Sequence, residues 1–282
     1  MRPTRGVALV LVLAVTGVLA LLIVQIGLNQ RSHVAQAQRL LDRSEASLKL
    51  YSVENAVLYS MLTRERNANP VDIAGDNPFA KSWNFSGAPF EVGGNTIRLQ
   101  DLGGLFALPL PGESTEELRK LLIALGFNST RASEICESLE RAMSDHMLSS
   151  LQSLKELAVI ARLSQSEVDK IADVSTIYPV SSFNPQTAPD VVLATRYPGL
   201  AVEGLRAARR TTVLDGARVS QITGEPVDDL LVNFLVGPGF RIDVTVKVRG
   251  VQLRRQSTWT VRPSNEATPL RLWGYRELKV SS

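Results

Sequence analysis

The chain has 282 residues, 44% of them hydrophobic and 21% charged, the balance of a folded protein and not of a disordered one. Its formal charge of +3 is small and partly sits at Arg2 and Arg5, so a pI of about 9.1 carries no nucleic-acid signal. A single cysteine, Cys136, excludes an internal disulfide, and the two isolated histidines, His33 and His146, leave no zinc-ligand spacing.

The first predicted element runs from Val7 to Leu28, a stretch with no charged side chain. As a helix it reaches roughly 33 Å, against about 30 Å for a bilayer core, which predicts a membrane-spanning segment. Arg2 and Arg5 precede it and Asp42 is the first acidic residue beyond it. The loop-charge rule therefore keeps the N-terminus cytoplasmic and exports the body of the chain. The competing reading is a secretory signal peptide cut at Ala35-Gln-Ala37, but such peptides have an apolar core of roughly 7–15 residues, shorter than this run.

The order Arg5-Gly6-Val7-Ala8-Leu9 resembles the leader of type IV pilins and of the pseudopilins of type II secretion. The resemblance implies cleavage by a prepilin peptidase after Gly6, N-methylation of Val7, and retention of the apolar helix on the mature protein. That family usually carries glutamate as the fifth mature residue, where it meets the terminal amine of a neighbouring subunit; here the position is Leu11. The K class of minor pseudopilins characteristically lacks this glutamate. A lone carboxylate in lipid costs kilocalories, so a subunit with no neighbour above it is better served by an apolar residue there.

Beyond the apolar run, residues 30 to 66 keep a helical period, with Leu41, Leu48, Tyr51, Leu58 and Leu62 expected on one stripe. No proline occurs between Pro3 and Pro70. One long spine helix, half in lipid and half packed on a head, is the expectation, with two helices broken near Asn29 as the alternative. Asn67, Pro70, Asn77 and Pro78 break the helix. Trp83, Phe85, Phe90, Val92, Ile97 and Leu99, divided by Gly87, Gly93 and Gly94, then predict two or three short strands. Asp101, Gly104, Phe106, Leu108 and Leu110 follow a pattern similar to a K-class segment, in which Ala107 and Pro109 replace the usual asparagines.

The helical period returns at Ser114, which with Glu117 forms a capping-box pattern opening a helix through Leu118, Leu121, Leu122 and Leu125. Gly126 closes it, Asn128 or Ser129 caps the next, and Ala132, Ile135, Cys136, Leu139 and Met143 form the stripe of that next helix. A second pair is expected over 151–157 and 167–172. The turn Leu125-Gly126-Phe127-Asn128 is similar to helix-hairpin-helix modules and supplies an alternative function, an exported DNA-uptake pilin-like protein. Glu134, Glu137 and Glu140 follow that turn, whereas phosphate binding needs positive charge, so no nucleic-acid partner is expected. Ser153-Leu-Lys-Glu-Leu157 and the later Asn184, Thr187, Ala188 and Pro189 resemble the "SxxEL" helix and the Asn-x-Asn-Thr-Ala-Pro stretch of K-class pseudopilins, with Gln186 in place of the second asparagine. Their role reads as structural: Asn184 holds a turn through its own backbone, and Thr187 caps a helix starting around Pro189.

Val202 to Arg210 is expected to be helical and 223–229 a loop. Glu225, Asp228 and Asp229 in that loop admit calcium, but a hard cation needs six or more oxygens and a solvated acidic loop is the simpler reading. No other cofactor and no metal is expected. Phe240 to Val248 alternates strictly between apolar and polar residues, predicting a strand with one buried face. Arg249-Gly250 turns it, Leu253 to Val261 returns, and Leu270 to Val280 supplies a further strand. Ser144, Asp145 and His146 are adjacent, but helix neighbours point in different directions and cannot converge as a triad. No nucleophile elbow, phosphate loop or His-Glu-x-x-His occurs, so no enzyme is expected.

The expected fold is α+β. A leader at 1–6 precedes a spine helix with a transmembrane part at 7–28 and an amphipathic part at 29–66; 67–111 and 236–282 form a pilin-like antiparallel sheet, and 112–235 an inserted helical domain. The resemblance to K-class minor pseudopilins touches all of these parts. It implies a subunit at the tip of the type II secretion pseudopilus, joined by other minor pseudopilins during export of folded proteins across the outer membrane. It also implies a single-pass inner-membrane location, with a cytoplasmic N-terminus and a periplasmic head.

Overall fold

The computed structural model describes residues 4–66, 77–108, 114–144, 151–178, 180, 182–197, 199–228, 230–262 and 267–278, with the side chains of 4–10 and 27–29 excepted. One continuous helix, α1 (Thr4–Thr63), opens the chain. At 1.5 Å per residue its length is about 90 Å. Uninterrupted helix through Asn29 decides between one spine and two. In the first part of α1, Leu11, Leu13, Leu21 and Ile23 are exposed, and among the described residues α1 alone is long and apolar enough to cross a membrane.

The later part of α1 lies on an antiparallel sheet, but not by the stripe expected. Leu58 is buried, whereas Leu41, Leu48 and Tyr51 are 63%, 69% and 49% exposed. The buried face is instead Asp42, Ala46, Leu50, Glu54, Val57 and Met61, at the four- and three-residue spacing of one helix side. Two carboxylates occupy this face because the sheet supplies partners for them, which periodicity of apolar residues cannot register.

The sheet comprises β1 (Ser86–Val92), β2 (Asn95–Asp101), β5 (Gly239–Val248), β6 (Val251–Val261) and β7 (Leu270–Leu278), in the order β1-β2-β5-β6-β7 and antiparallel throughout. Two-residue turns join β1 to β2 and β5 to β6: Gly93 and Gly94, and Arg249 and Gly250, all have positive φ, the backbone that matches the twist of paired strands. Ala46, Leu50, Val57 and Met61 of α1 pack with Trp83, Phe85, Ile97, Leu99 and the even-numbered Phe240, Ile242, Val244 and Val246. The odd face of β5 is not solvated as expected. Arg241 and Asp243 are also buried, because the helical segment covers that side.

Between Asp101 and Gly239 the chain leaves the sheet. A 3₁₀ turn (Leu102–Gly104) leads to β3 (Phe106–Ala107), which pairs in parallel with β4 (Ser175–Thr176). Helices α2 (Glu116–Ala124), α3 (Ser129–Ser144), α4 (Leu154–Ile160), α5 (Gln165–Val174), α6 (Asp190–Arg196), α7 (Leu200–Thr211) and α8 (Gly216–Thr223) enclose a second core. Phe106 and Leu108 pack in this second core. The Ser114–Glu117 capping box does not form: Thr115 is the residue before α2, without a side-chain cap, and its hydroxyl bonds Glu140 of α3 instead. Asn128 caps α3 through Arg131 N at 2.7 Å, Ser153 caps α4, and Ser164 with Glu167 forms the capping box of α5.

Candidate functional site: an exposed spine and a buried joint

Three arrangements connect the parts of the molecule, beginning with the spine. The backbones of Gly6 and Val7 lie in the first turns of α1, and Leu11 is 65% exposed. Where α1 meets the sheet, the carboxylate of Glu54, buried between Leu50 and Val57, accepts hydrogen bonds from Ser257 Oγ and from Trp259 Nε1 at 3.2 Å. Arg255 Nε stands 3.6 Å from the other Glu54 oxygen, and its guanidinium lies against the rings of Tyr51 and Tyr275 at 4.6 and 4.3 Å. About three helical turns earlier on α1, Asp42 accepts from Gln38 at 2.9 Å and faces Arg249 of the β5–β6 turn at 3.6 Å. A buried carboxylate with these donors holds the spine in one rotation against the head, since any other rotation strands it without a partner.

The second arrangement joins the sheet to the helical segment. Asp101, at the end of β2 and 1% exposed, accepts from Gly103 N at 3.0 Å, Asn184 Nδ2 at 2.9 Å and Thr187 Oγ1 at 3.0 Å, and from the backbone of Gly237. Burial pushes its carboxyl pKa up, while the four donors oppose that shift. Asn184 N also donates to Gly103 O at 2.8 Å, Asn184 Nδ2 to Leu235 O at 3.0 Å, and Gln100 Nε2 to Thr187 O at 3.0 Å. Gly104 is required here: a Cβ on it would stand 2.6 Å from the Thr187 carbonyl. The structure thus brings together Asp101, Gly104, Asn184 and Thr187, which lie far apart in the chain.

Asn184 Oδ1 accepts from Gln186 N at 3.0 Å, an Asx turn. Thr187 does not cap a helix as expected. Pro189 is the residue before α6 and no side-chain cap is present, because the Thr187 hydroxyl is turned inward to Asp101. Ala188 is wholly buried in the second core. Gln186 accepts from Leu214 N at 3.0 Å and so ties the turn to the segment before α8.

The third arrangement is Arg241, on the odd face of β5. Its guanidinium donates to Ala172 O at 2.7 Å and Ser175 O at 2.8 Å, at the C-terminal end of α5. Helix carbonyls carry partial negative charge there, and they take the place of a carboxylate partner. Burial lowers the pKa of Arg241 to about 10, with Arg276 nearby adding to the shift.

Glu54 and Arg241 were not among the residues expected to matter. The signal for each is a charged residue at a core register: Glu54 three before Val57 and four after Leu50, and Arg241 within a strand whose neighbours are apolar. Of the calcium candidates, Glu225 and Asp228 are apart from the joint and Asp229 lies outside the described residues, as do Pro109, Leu110, Asp145 and His146. Asp228 Oδ1 accepts from Leu230 N at 2.9 Å, and among the described residues no three histidine, cysteine or acidic side chains are grouped to hold a metal ion.

No family model matches the chain, and no curated protein matches it. Among solved structures, the fold matches a chain of the crystal structure of the GspK-GspI-GspJ complex from the enterotoxigenic Escherichia coli Type 2 Secretion System. The TM-score is 0.53 at 13% identity, over 87% of this chain and 100% of that one. At that identity the likeness is one of fold: an α+β, pilin-like arrangement of long N-terminal helix, antiparallel sheet and helical segment.

Proposed function

We propose that the chain is a minor pseudopilin of the K class, anchored by α1 in the inner membrane with its head in the periplasm, and that it caps or initiates the pseudopilus of type II secretion. The observation that carries the reading is the combination of a continuous spine, apolar and exposed in its first part, with helices α2–α8 inserted between β2 and β5 of the sheet. Export of folded proteins across the outer membrane is the process served, and no catalytic step or cofactor is assigned to this chain.

Two features support the position at the tip. Leu11 carries no charge to neutralise in lipid, so no subunit is needed above it. The helical segment adds a second hydrophobic core to the head, bulk that an end position tolerates better than a repeating stack. Rigid attachment of that bulk through Asp101 and Arg241 suits a subunit that transmits force along its spine. The partners are a prepilin peptidase, which cuts after Gly6, and other minor pseudopilins of a tip complex.

The test is the intact mass and N-terminal sequence of the chain extracted from membranes of cells containing a prepilin peptidase. A start at Val7 with a methylated amine is expected, and Gly6→Ala is expected to abolish both processing and secretion. A start near Gln38, an uncut Met1, or normal secretion by the Gly6→Ala variant contradicts the assignment.

A further inference from the structure

Leu41, Leu48 and Tyr51, the stripe that the sheet leaves exposed, run along the side of α1 turned away from the head. We propose that two copies of this chain pair through that stripe as a parallel, in-register coiled coil. The pairing goes beyond the pseudopilin reading and holds whether or not the chain enters a filament.

The pattern is a heptad. Val34, Leu41 and Leu48 recur every seven residues, and Ala37, Ser44 and Tyr51 stand three after each of them, the a and d positions of a coiled coil. The same steps taken backwards reach Ile23, Ala20 and Leu13 within the apolar run. Between Gln30 and Asn55 there are seven Lys, Arg, Asp and Glu side chains, and all of them fall outside these two positions. A helix side that only faced water would carry some of that charge, yet this side carries none, and Val34 on it is 69% exposed. An apolar repeat of seven drifts by roughly 20° per heptad on a straight helix, which a left-handed supercoil with a second helix takes up.

Three features select a second copy as the occupant. Asn55 takes the a position after Leu48; it is exposed and makes no hydrogen bond among the described residues. A lone asparagine at an a position bonds its own counterpart, which fixes the register and the number of strands. Two copies whose apolar runs cross one bilayer start at the same depth and in the same direction, so each layer meets itself, Leu41 on Leu41 and Asn55 on Asn55. From Leu13 to Asn55 the stripe is about 63 Å long and, at the spacing of packed helices, about 10 Å wide. It offers roughly 600 Å² per copy, close to the roughly 800 Å² of a stable interface, and a shared membrane lowers the cost of bringing the copies together. The sheet lies on the opposite side of α1, and α5 lies beyond the sheet against Arg241, so neither stands between the two helices.

Cross-linking of the full chain in membranes tests the pairing. Cys136 is the sole cysteine and is buried, so an introduced cysteine is the accessible thiol. Leu41→Cys and Leu48→Cys are expected to give a disulfide-linked pair on mild oxidation. Arg39→Cys, two residues from Leu41 and on the other side of the helix, is expected to give none. Sedimentation in density-matched detergent is expected to show a dimer, weakened roughly a hundredfold or more by Leu41→Glu combined with Leu48→Glu. Both leucines are exposed, so an unchanged dichroism spectrum is expected to show that this variant keeps its fold. Equal cross-linking through Arg39→Cys and Leu41→Cys, or a wild-type chain that stays monomeric and leaves both leucine positions uncoupled, overturns the pairing. Cross-links from Leu41→Cys to a different chain alone overturn the second copy as the occupant.

Discussion

Replacing Asn184 by alanine tests whether the Asp101 joint holds the helical segment to the sheet. Asn184 is 1% exposed. Its side chain donates to Asp101 at 2.9 Å and to Leu235 O at 3.0 Å, and accepts from Gln186 N at 3.0 Å. A hydrogen bond to a charged group is worth about 1.5–3 kcal/mol and a neutral one about 0.5–1.5 kcal/mol, and truncation also strands the buried partners. The expected loss is therefore roughly 3–5 kcal/mol, a large share of the net stability of a domain. Trp83, Trp259 and Trp273 all belong to the sheet or its core, whereas far-ultraviolet dichroism is dominated by helix. Urea unfolding of the detergent-solubilised chain, followed by both signals, is expected to show coincident transitions in the wild type. In the variant, the part of the helical signal that comes from α2–α8 is expected to melt earlier, with that of α1 still melting together with the tryptophan signal. A loss below about 1 kcal/mol, the worth of a single neutral hydrogen bond, with the two transitions still coincident, would refute the joint.

Gly104→Ala places a Cβ 2.6 Å from the Thr187 carbonyl; backbone must move, and a destabilisation of about 2–4 kcal/mol in the same unfolding experiment is expected. Glu167 is held to about 2, first by its hydrogen bond from Arg131 and then by the Ser164 backbone. Its folded pKa lies below the unsupported 4.5, so its contribution is present above that value and is lost as pH falls toward about 2. An acid titration of helical stability is expected to lose this slope in Arg131→Ala. Burial pushes the Cys136 thiol up to about 11, so iodoacetamide at about pH 8 is expected to label it only on unfolding; rapid labelling of the native chain would count against the packing of α2 on α3.

Elements with local causes were readable along the chain. The uncharged run from Val7 to Leu28, the turn at Arg249 and Gly250, the apolar stripe of α3 and the alternation of Phe240 to Val248 each depend on neighbours within a few residues. The joint was half readable. Asn184, Thr187, Asp101 and Gly104 stood out by resemblance, but their contacts span 83 and 86 residues, and nothing in local spacing pairs them. The face of α1 was misread for the same reason. Leu41 and Leu48 make a better apolar stripe than Asp42 and Glu54, until Ser257 and Trp259 arrive from about 200 residues away to satisfy the carboxylate.

What the sequence by itself determined is therefore the inventory: a helix able to cross a bilayer, a sheet interrupted by a long helical segment, and turns at the glycines whose backbone permits them. These follow from each residue's own transfer free energy and allowed dihedral angles. Tertiary structure alone decided which charged residues are buried, since the cost of burying Glu54, Asp101 or Arg241 depends on donors and acceptors contributed by distant strands and helix ends. A residue type states the cost of its burial, and only the fold supplies the partner that offsets it.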